Sequence, residues 1–242
     1  MKFIAALTLF LPSFLKVLVL RHIFKMRIGR GVRIGFSVVV PKGGQIGDRA
    51  RIGHFNLIAG MQELTLGEDI IIGHFNIVLG GSKVTLGDGA MIGRFNEINS
   101  ILNPLVRGAP VPELKLGRRA IITAWHKIDF TDKVELGENV VFAGRLSNVW
   151  THNRQDVAPV CIGDRCYVGS GIQMVPGSRL GADCVIGLGS IITKQFDQER
   201  VLIAGVPAKV VKDLDEKALK LVSYAARPDL DGYGDLTGEV EV

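Results

Sequence analysis

Large rings are scarce in this chain. Aromatics make up 7% of its 242 residues while glycine occurs 30 times, a balance that suits a narrow interior filled by Ile, Val and Leu. Cysteine is scarcer still: Cys161, Cys166 and Cys184 are odd in number and form no CxxC pair. That excludes a disulfide scaffold and a thiolate metal site, and leaves three small buried hydrophobes in a reducing compartment. There is no P-loop, no G-x-S-x-G, no dinucleotide fingerprint behind a strand and no metal-ligand cluster. Acidic residues are missing from residues 1–47, which hold eight Lys or Arg, whereas eight of the last thirty residues are Asp or Glu. This polarised charge, not the net +5, is the informative quantity: it sets a basic end against an anionic surface and indicates no nucleic-acid partner.

What the chain does have is a repeat. IGDRARIGHFNLIAGMQELT (46–65), LGEDIIIGHFNIVLGGSKVT (66–85) and LGDGAMIGRFNEINS (86–100) restate one pattern with a period of twenty. Within it an aliphatic-Gly pair recurs every six residues, as in Ile46-Gly47 and Ile52-Gly53, then Leu66-Gly67 and Ile72-Gly73. Six is neither a helical nor a hairpin number. It suits a short strand with its aliphatic residue inward, followed by a bend where glycine accepts angles that a Cβ resists. Three such units close a triangular coil of about eighteen residues, so a copy of twenty adds a two-residue bulge at one corner, marked by Gly60-Met61 and Gly80-Gly81. Stacked coils put Asn56, Asn76 and Asn96 in one column, Phe55, Phe75 and Phe95 in another, and His54 with His74 in an outward-facing third. Aligned asparagines can bond one another along the stack.

Around this core the chain divides into an apolar, basic N-terminal segment (1–27), a coil domain (28–203) with a loop excursion at 101–115, and a C-terminal extension (204–242). The apolar run 3–24 is interrupted by Pro12, with Ser13 placed to cap a helix from Phe14. A cleaved signal peptide lacks its small-residue site, and a spanning helix is broken by Pro12 and Lys16. A helix packed on its own coils and an interfacial helix with a cationic fringe remain, the latter favoured. The excursion carries Pro104, Pro110 and Pro112, which suit neither ladder nor helix. Beyond Thr193 the coils are expected to stop, 212–226 reads as an amphipathic helix with Leu214, Ala218, Leu219 and Val222 on one face, and 227–242 as an acidic tail.

Histidine is the remaining chemistry. His126 and His152 stand where the repeat is broken, and breaks in a pattern are where function is expected. His126 falls in register with the asparagine column. His152 sits at an irregular corner in Trp150-Thr151-His152-Asn153, with Asn153 and Asp156 close behind to orient a ring nitrogen. A neutral imidazole there can take a proton from a hydroxyl or an amine.

The hexad pattern resembles the hexapeptide-repeat acyltransferases. Residues 168–196 followed by AGVPAKVVK (204–212) resemble the C-terminal coils of the galactoside, maltose and xenobiotic acetyltransferases within that family. The stretch from Ala124 to Gly137, with Trp150-Thr151-His152, is similar to its polysaccharide-associated branch. The resemblance implies a left-handed parallel β-helix, a homotrimer with inter-subunit active sites, and acetyl-CoA as co-substrate with no metal. It implies His152 as general base, with His126 and Asp129 beside the acceptor and Trp150, Asn153 and Asp156 contacting it. CoA contacts would fall on Ser170, Leu188, Thr193, Lys194, Lys209 and Lys212. Leu188 departs from the small residue often found in its slot. The expected activity is O-acetylation of a saccharide in surface polysaccharide synthesis, the acceptor being lipid-linked, in the cytoplasm at the inner face of the membrane through residues 3–27. N-acetylation of a nucleotide-linked amino sugar is the alternative in the same class. A non-catalytic scaffold and a γ-carbonic-anhydrase-like metal enzyme are the others.

Overall fold

The computed structural model describes residues 8–100 and 112–224. The first residues of the apolar run, Pro104 and Pro110 of the excursion, and the acidic tail lie outside them.

The repeat winds into a three-faced prism. The first face runs from the strand Arg27–Ile28 to Gln195–Phe196, the second from Arg33–Ile34 to Val201–Gly205, and the third from Val38–Val40 to Ile191–Ile192. Each full coil contributes one strand to each face, and neighbouring coils pair in parallel one repeat apart, as in Leu66↔Leu86 and Ile52↔Ile72. Alternation then sorts the side chains: in Lys83–Leu86, Val84 and Leu86 point inward and Lys83 and Thr85 outward. Ile46, Ile52, Leu66, Ile72, Leu86 and Ile92 meet in one interior, each 2% exposed or less. The aliphatic-Gly beat is the inward beat, as the spacing requires.

The glycine half of the beat sets how closely coils approach. A Cβ on Gly73 would stand 2.2 Å from the Gly93 carbonyl oxygen of the next coil, inside any tolerable contact. At the corner between the second and third faces, Phe55, Phe75, Phe95 and Trp125 all take φ of 57–60°, a conformation uncommon for bulky residues. Their rings stack along the prism edge with centroids 5.1, 4.9 and 4.4 Å apart. Just inside them runs the asparagine ladder. Asn76 Nδ2 donates to Asn56 Oδ1 and Asn96 Nδ2 to Asn76 Oδ1, both at 3.0 Å, in a wall that excludes water.

The ends of a stack leave backbone groups without a neighbour, and each end is closed differently. At the start, helix α1 (Ser13–His22) lies against the first strands and buries Leu20 and Lys16. Lys16 Nζ donates to the carbonyls of Leu9 (3.0 Å), Ser37 (3.2 Å) and Gly35. Ser13 Oγ accepts the Ile34 N–H at 2.9 Å. Contrary to the sequence expectation, Ser13 does not cap its own helix; its hydroxyl supplies a bond that an earlier coil would have supplied. Packing on its own coils thus describes one side of α1. Phe14 and Leu18 on α1, with Phe10 and Ile23 just outside it, are left between 44% and 74% exposed. Among the described residues no helix is long and apolar enough to cross a membrane.

At the far end the coils continue past Thr193. Gln195–Phe196 adds to the first face and Val201–Gly205 to the second, and the antiparallel strand Ala208–Asp213 closes that edge. Lys212 and Asp213 therefore belong to a strand, and helix α2 is shorter than expected, Glu216–Tyr224, with Asp215 Oδ1 accepting the Ala218 N–H at 3.0 Å. Likewise Glu113–Leu116 is a strand of the first face, which takes residues 113–115 from the expected loop.

Candidate functional site

Although the second–third corner gains a single residue between Phe142 and Val149, the repeat varies most at the corner between the third and first faces. Gly60-Met61 and Gly80-Gly81 make their bulge there, with Met61 fully buried. The chain departs from this corner after Ser100 and regains the first face at Glu113. One coil later Phe130 packs against the bulge, its ring edge 2.3 Å from where a Cβ on Gly81 would stand. The next coil carries the loop Trp150–Pro159 at the same corner.

Asp129 ends the third-face strand Lys127–Asp129, beneath that loop and 1% exposed. Its Oδ1 accepts the Thr131 hydroxyl at 2.7 Å and the Thr131 N–H at 3.2 Å. Its Oδ2 accepts the Thr151 N–H at 3.2 Å and lies 3.0 Å from the Thr151 hydroxyl. The same Oδ2 stands 2.6 Å from His152 Nδ1. A carboxylate only accepts, so Nδ1 carries the proton and the Nε2 lone pair is left for another partner. The side chain of His152 is 19% exposed against 1% for that of Asp129. The imidazole thus reaches solvent while the carboxylate bonded to it does not.

Asn153 and Asp156 do not hold the ring, contrary to expectation. Asn153 Oδ1 accepts the N–H groups of Gln155 (2.7 Å) and Asp156 (2.8 Å), closing a tight turn with its side chain. The Asn153 N–H returns to the Asp156 carbonyl at 2.9 Å, and a single antiparallel bridge joins His152 to Val157. Both residues are exposed. The residues that sequence reasoning missed are Thr131 and Thr151, which fix the carboxylate; their signal was adjacency, in Asp129-Phe130-Thr131 and Thr151-His152. Trp150 is half-buried, with Lys127 Nζ 5.8 Å from its ring.

His126 is not brought to His152. It continues the asparagine ladder at the opposite end of its strand. Its N–H donates to Asn96 Oδ1 at 3.0 Å, Nδ1 accepts the Ser147 N–H at 3.2 Å, and Nε2 lies 3.1 Å from Thr123 Oγ1. Burial lowers its pKa to about 4. Because the unfolded chain binds this proton at about 6.5 and the folded chain at about 4, stability falls as pH drops between those values. The expected loss is ~3 kcal/mol by pH 4. His126→Asn, which restores the repeat residue, should flatten this part of a urea-denaturation series from pH 7 to pH 4.

The expected CoA residues lie in the last coils, on more than one corner. Ser170 and Leu188 stack at the second–third corner, where the Gly189 N–H donates to the Ser170 carbonyl at 2.9 Å. Leu188 is 81% exposed. Thr193 and Lys194 are exposed at the His152 corner, two coils further on, or ~10 Å along the axis. Lys209 and Lys212 project from the closing strand, Lys212 paired with Asp215 at 2.7 Å. Among the described residues no three His, Cys, Asp or Glu side chains group as a metal site.

A parallel three-faced β-helix of hexapeptide coils, with a His–Asp pair at its most variable corner, is the class this chain presents. Within that class it resembles the acetyltransferases. It is 37% identical over 59 residues to the galactoside O-acetyltransferase of Escherichia coli K12, a match covering 24% of this chain and 29% of that one. It is 38% identical over 53 residues to an Escherichia coli K12 protein named provisionally as the lipopolysaccharide biosynthesis O-acetyl transferase WbbJ, covering 22% and 26%. The chain spans about a third of the length of the curated relatives it matches. Among solved structures, the polySia specific acetyltransferase NeuO superposes with a TM-score of 0.49 at 20% identity, over 83% of this chain and 92% of that one. No family model matches.

Proposed function

We propose that this chain is an acetyl-CoA-dependent O-acetyltransferase acting on a saccharide hydroxyl, with His152 as general base. The observation that carries this reading is the 2.6 Å contact between Asp129 and His152 Nδ1, which leaves Nε2 to face solvent. In the reaction the acceptor oxygen attacks the thioester carbonyl carbon as Nε2 takes its proton. Asp129 stabilises the imidazolium, and collapse of the tetrahedral intermediate expels CoA sulfur, which receives the proton from His152. Lys194 and Lys209, exposed and without an ion pair to any described residue, suit the phosphates of CoA. Lys212 would first have to leave Asp215. Leu188 offers an exposed apolar wall for pantetheine.

Within one protomer Ser170 and Leu188 sit on a different prism edge from His152. That separation supports a homotrimer in which one protomer's edge faces its partner's across the cleft. The names of the relatives and the polarised N-terminus favour an acceptor in surface polysaccharide synthesis, carried on lipid at the inner face of the membrane. The same base could deprotonate an amine of a nucleotide-linked amino sugar, but a soluble acceptor gives the exposed edge of α1 no purpose.

A thermal-shift panel of acyl-CoAs, followed by a screen of sugar acceptors with and without lipid carrier, tests the reading. It fails if no acyl-CoA raises Tm. Asp129→Asn separates orientation from binding. An amide can present N–H to Nδ1 and favour the wrong tautomer, so kcat should fall ~10²–10⁴-fold with the KM for acetyl-CoA unchanged. An Asp129→Asn enzyme at full turnover would remove the carboxylate from the mechanism.

A further inference from the structure

The second face begins with two arginines and then turns aliphatic. Arg33 and Arg51 stand directly opposite one another on neighbouring strands, and the next positions in their column are Ile71, Met91, Ile121 and Val141. Like charges placed opposite on adjacent strands destabilise a sheet. Elsewhere on the prism arginines are neutralised across coils, Arg49 by Asp69, Arg118 by Glu138 and Arg165 by Asp183. Arg33 and Arg51 are exposed and make no ion pair with a described residue.

They border a groove of about 340 Å³, lined also by Ser13, His54 and His74 and by no acidic residue. The groups it offers are donors. His54 Nδ1 accepts the Phe36 N–H at 3.1 Å, which leaves Nε2–H to donate. The Ser13 oxygen already accepts the Ile34 N–H, so its hydroxyl hydrogen is available. A groove of two guanidiniums, a ring N–H and a hydroxyl calls for a multivalent oxyanion.

An apolar path leads out of it. The Phe36 ring lies 5.3 Å from His54 and 6.5 Å from Phe10, and Phe10, just ahead of α1, and Phe14, in its first turn, are 74% and 65% exposed. A soluble anion would use the groove and ignore the path; an amphiphile uses both. We propose that this groove binds the phosphate or pyrophosphate head of a membrane lipid or lipid-linked saccharide, while the Phe10–Phe14 edge enters the acyl layer. The proposal deepens the membrane part of the function given above, and it does not involve His152.

The test is sedimentation of the full chain with phosphatidylcholine vesicles. They are used alone, with phosphatidylglycerol, or with farnesyl pyrophosphate in place of phosphatidylglycerol, at matched charge. Binding is expected only to the two anionic mixtures, and preference for the pyrophosphate mixture would assign the groove to a lipid-linked acceptor. Arg33→Gln with Arg51→Gln should weaken it at least ~10-fold without lowering Tm, since it removes a like-charge pair. Arg30→Gln, at the same end of the prism but outside the groove, should change it much less. Phe10→Ser with Phe14→Ser should abolish sedimentation while the protein still binds pyrophosphate by calorimetry. Equal losses for Arg30→Gln and the groove pair would mean diffuse attraction and would overturn the site. So would binding of a carboxylated oligosaccharide with no vesicle partition. His152→Ala should partition like the wild type, so a failure of the acetyl-transfer reading and a failure of this one give different results.

Discussion

His152→Ala is expected to lower kcat by ~10²–10⁴-fold while CoA still binds as it does to the wild type. The split follows from where the ring sits. Nε2 is the part of His152 left without a partner, and the ring lies at the rim, so its removal takes a proton acceptor away without opening the interior. Asp129 keeps its bonds from Thr131 and Thr151, so the corner retains its shape and Tm should move little. The residues expected to hold CoA lie in other coils, which is why affinity and turnover should separate. Calorimetry with CoA alongside single-turnover transfer to an acceptor from the sugar screen measures both. Turnover equal to the wild type would end the assignment of His152 as base. A parallel collapse of CoA affinity would make it a binding residue instead.

Asn76→Ala should be the most damaging single change to stability. The side chain spans three coils: Nδ2 donates to Asn56 Oδ1 (3.0 Å) and to the Gly93 carbonyl (2.8 Å), and Oδ1 accepts both the N–H and the Nδ2 of Asn96 at 3.0 Å. Truncation strands an amide N–H, a side-chain amide and a carbonyl where water does not reach. At about 1–3 kcal/mol for each of these three unsatisfied buried groups, the loss is ~3–9 kcal/mol. For a chain of this length that is a fall in Tm on the order of 10 °C or more. Thermal unfolding followed by circular dichroism reads it, with the exposed Asn153→Ala as the comparison. A fall of only a degree or two would mean the ladder records the stacking without supporting it.

Much of this architecture was legible before any coordinates. The inward beat of Ile46, Ile52 and Leu66 needs only period and hydrophobicity, both local in sequence, and the columns at Asn76 and Phe75 follow once the period is twenty. The ends of the prism were harder to read, because Lys16 and Ser13 answer to carbonyls and amides of coils that are not there, a demand no window of sequence displays. Lys212 likewise reads as helix by composition but is drawn into a strand by the open edge of Val201–Gly205. At the site, His152 was visible as a break in rhythm. Its partner was assigned to the wrong neighbours, since Asn153 and Asp156 are near in sequence whereas Asp129 lies one coil away. Adjacency across coils, not along the chain, sets the chemistry here.

The corner that carries the bulge has an evolutionary meaning. Elsewhere the backbone of one coil stops the next closely, as at Gly73, and the corner between the second and third faces gains or loses no more than a single residue. Along the third–first seam a long stretch of chain, such as Trp150–Pro159, is carried while the layers above and below keep their spacing. Descendants of such a protein could exchange appendages on that edge and leave the stacked layers untouched.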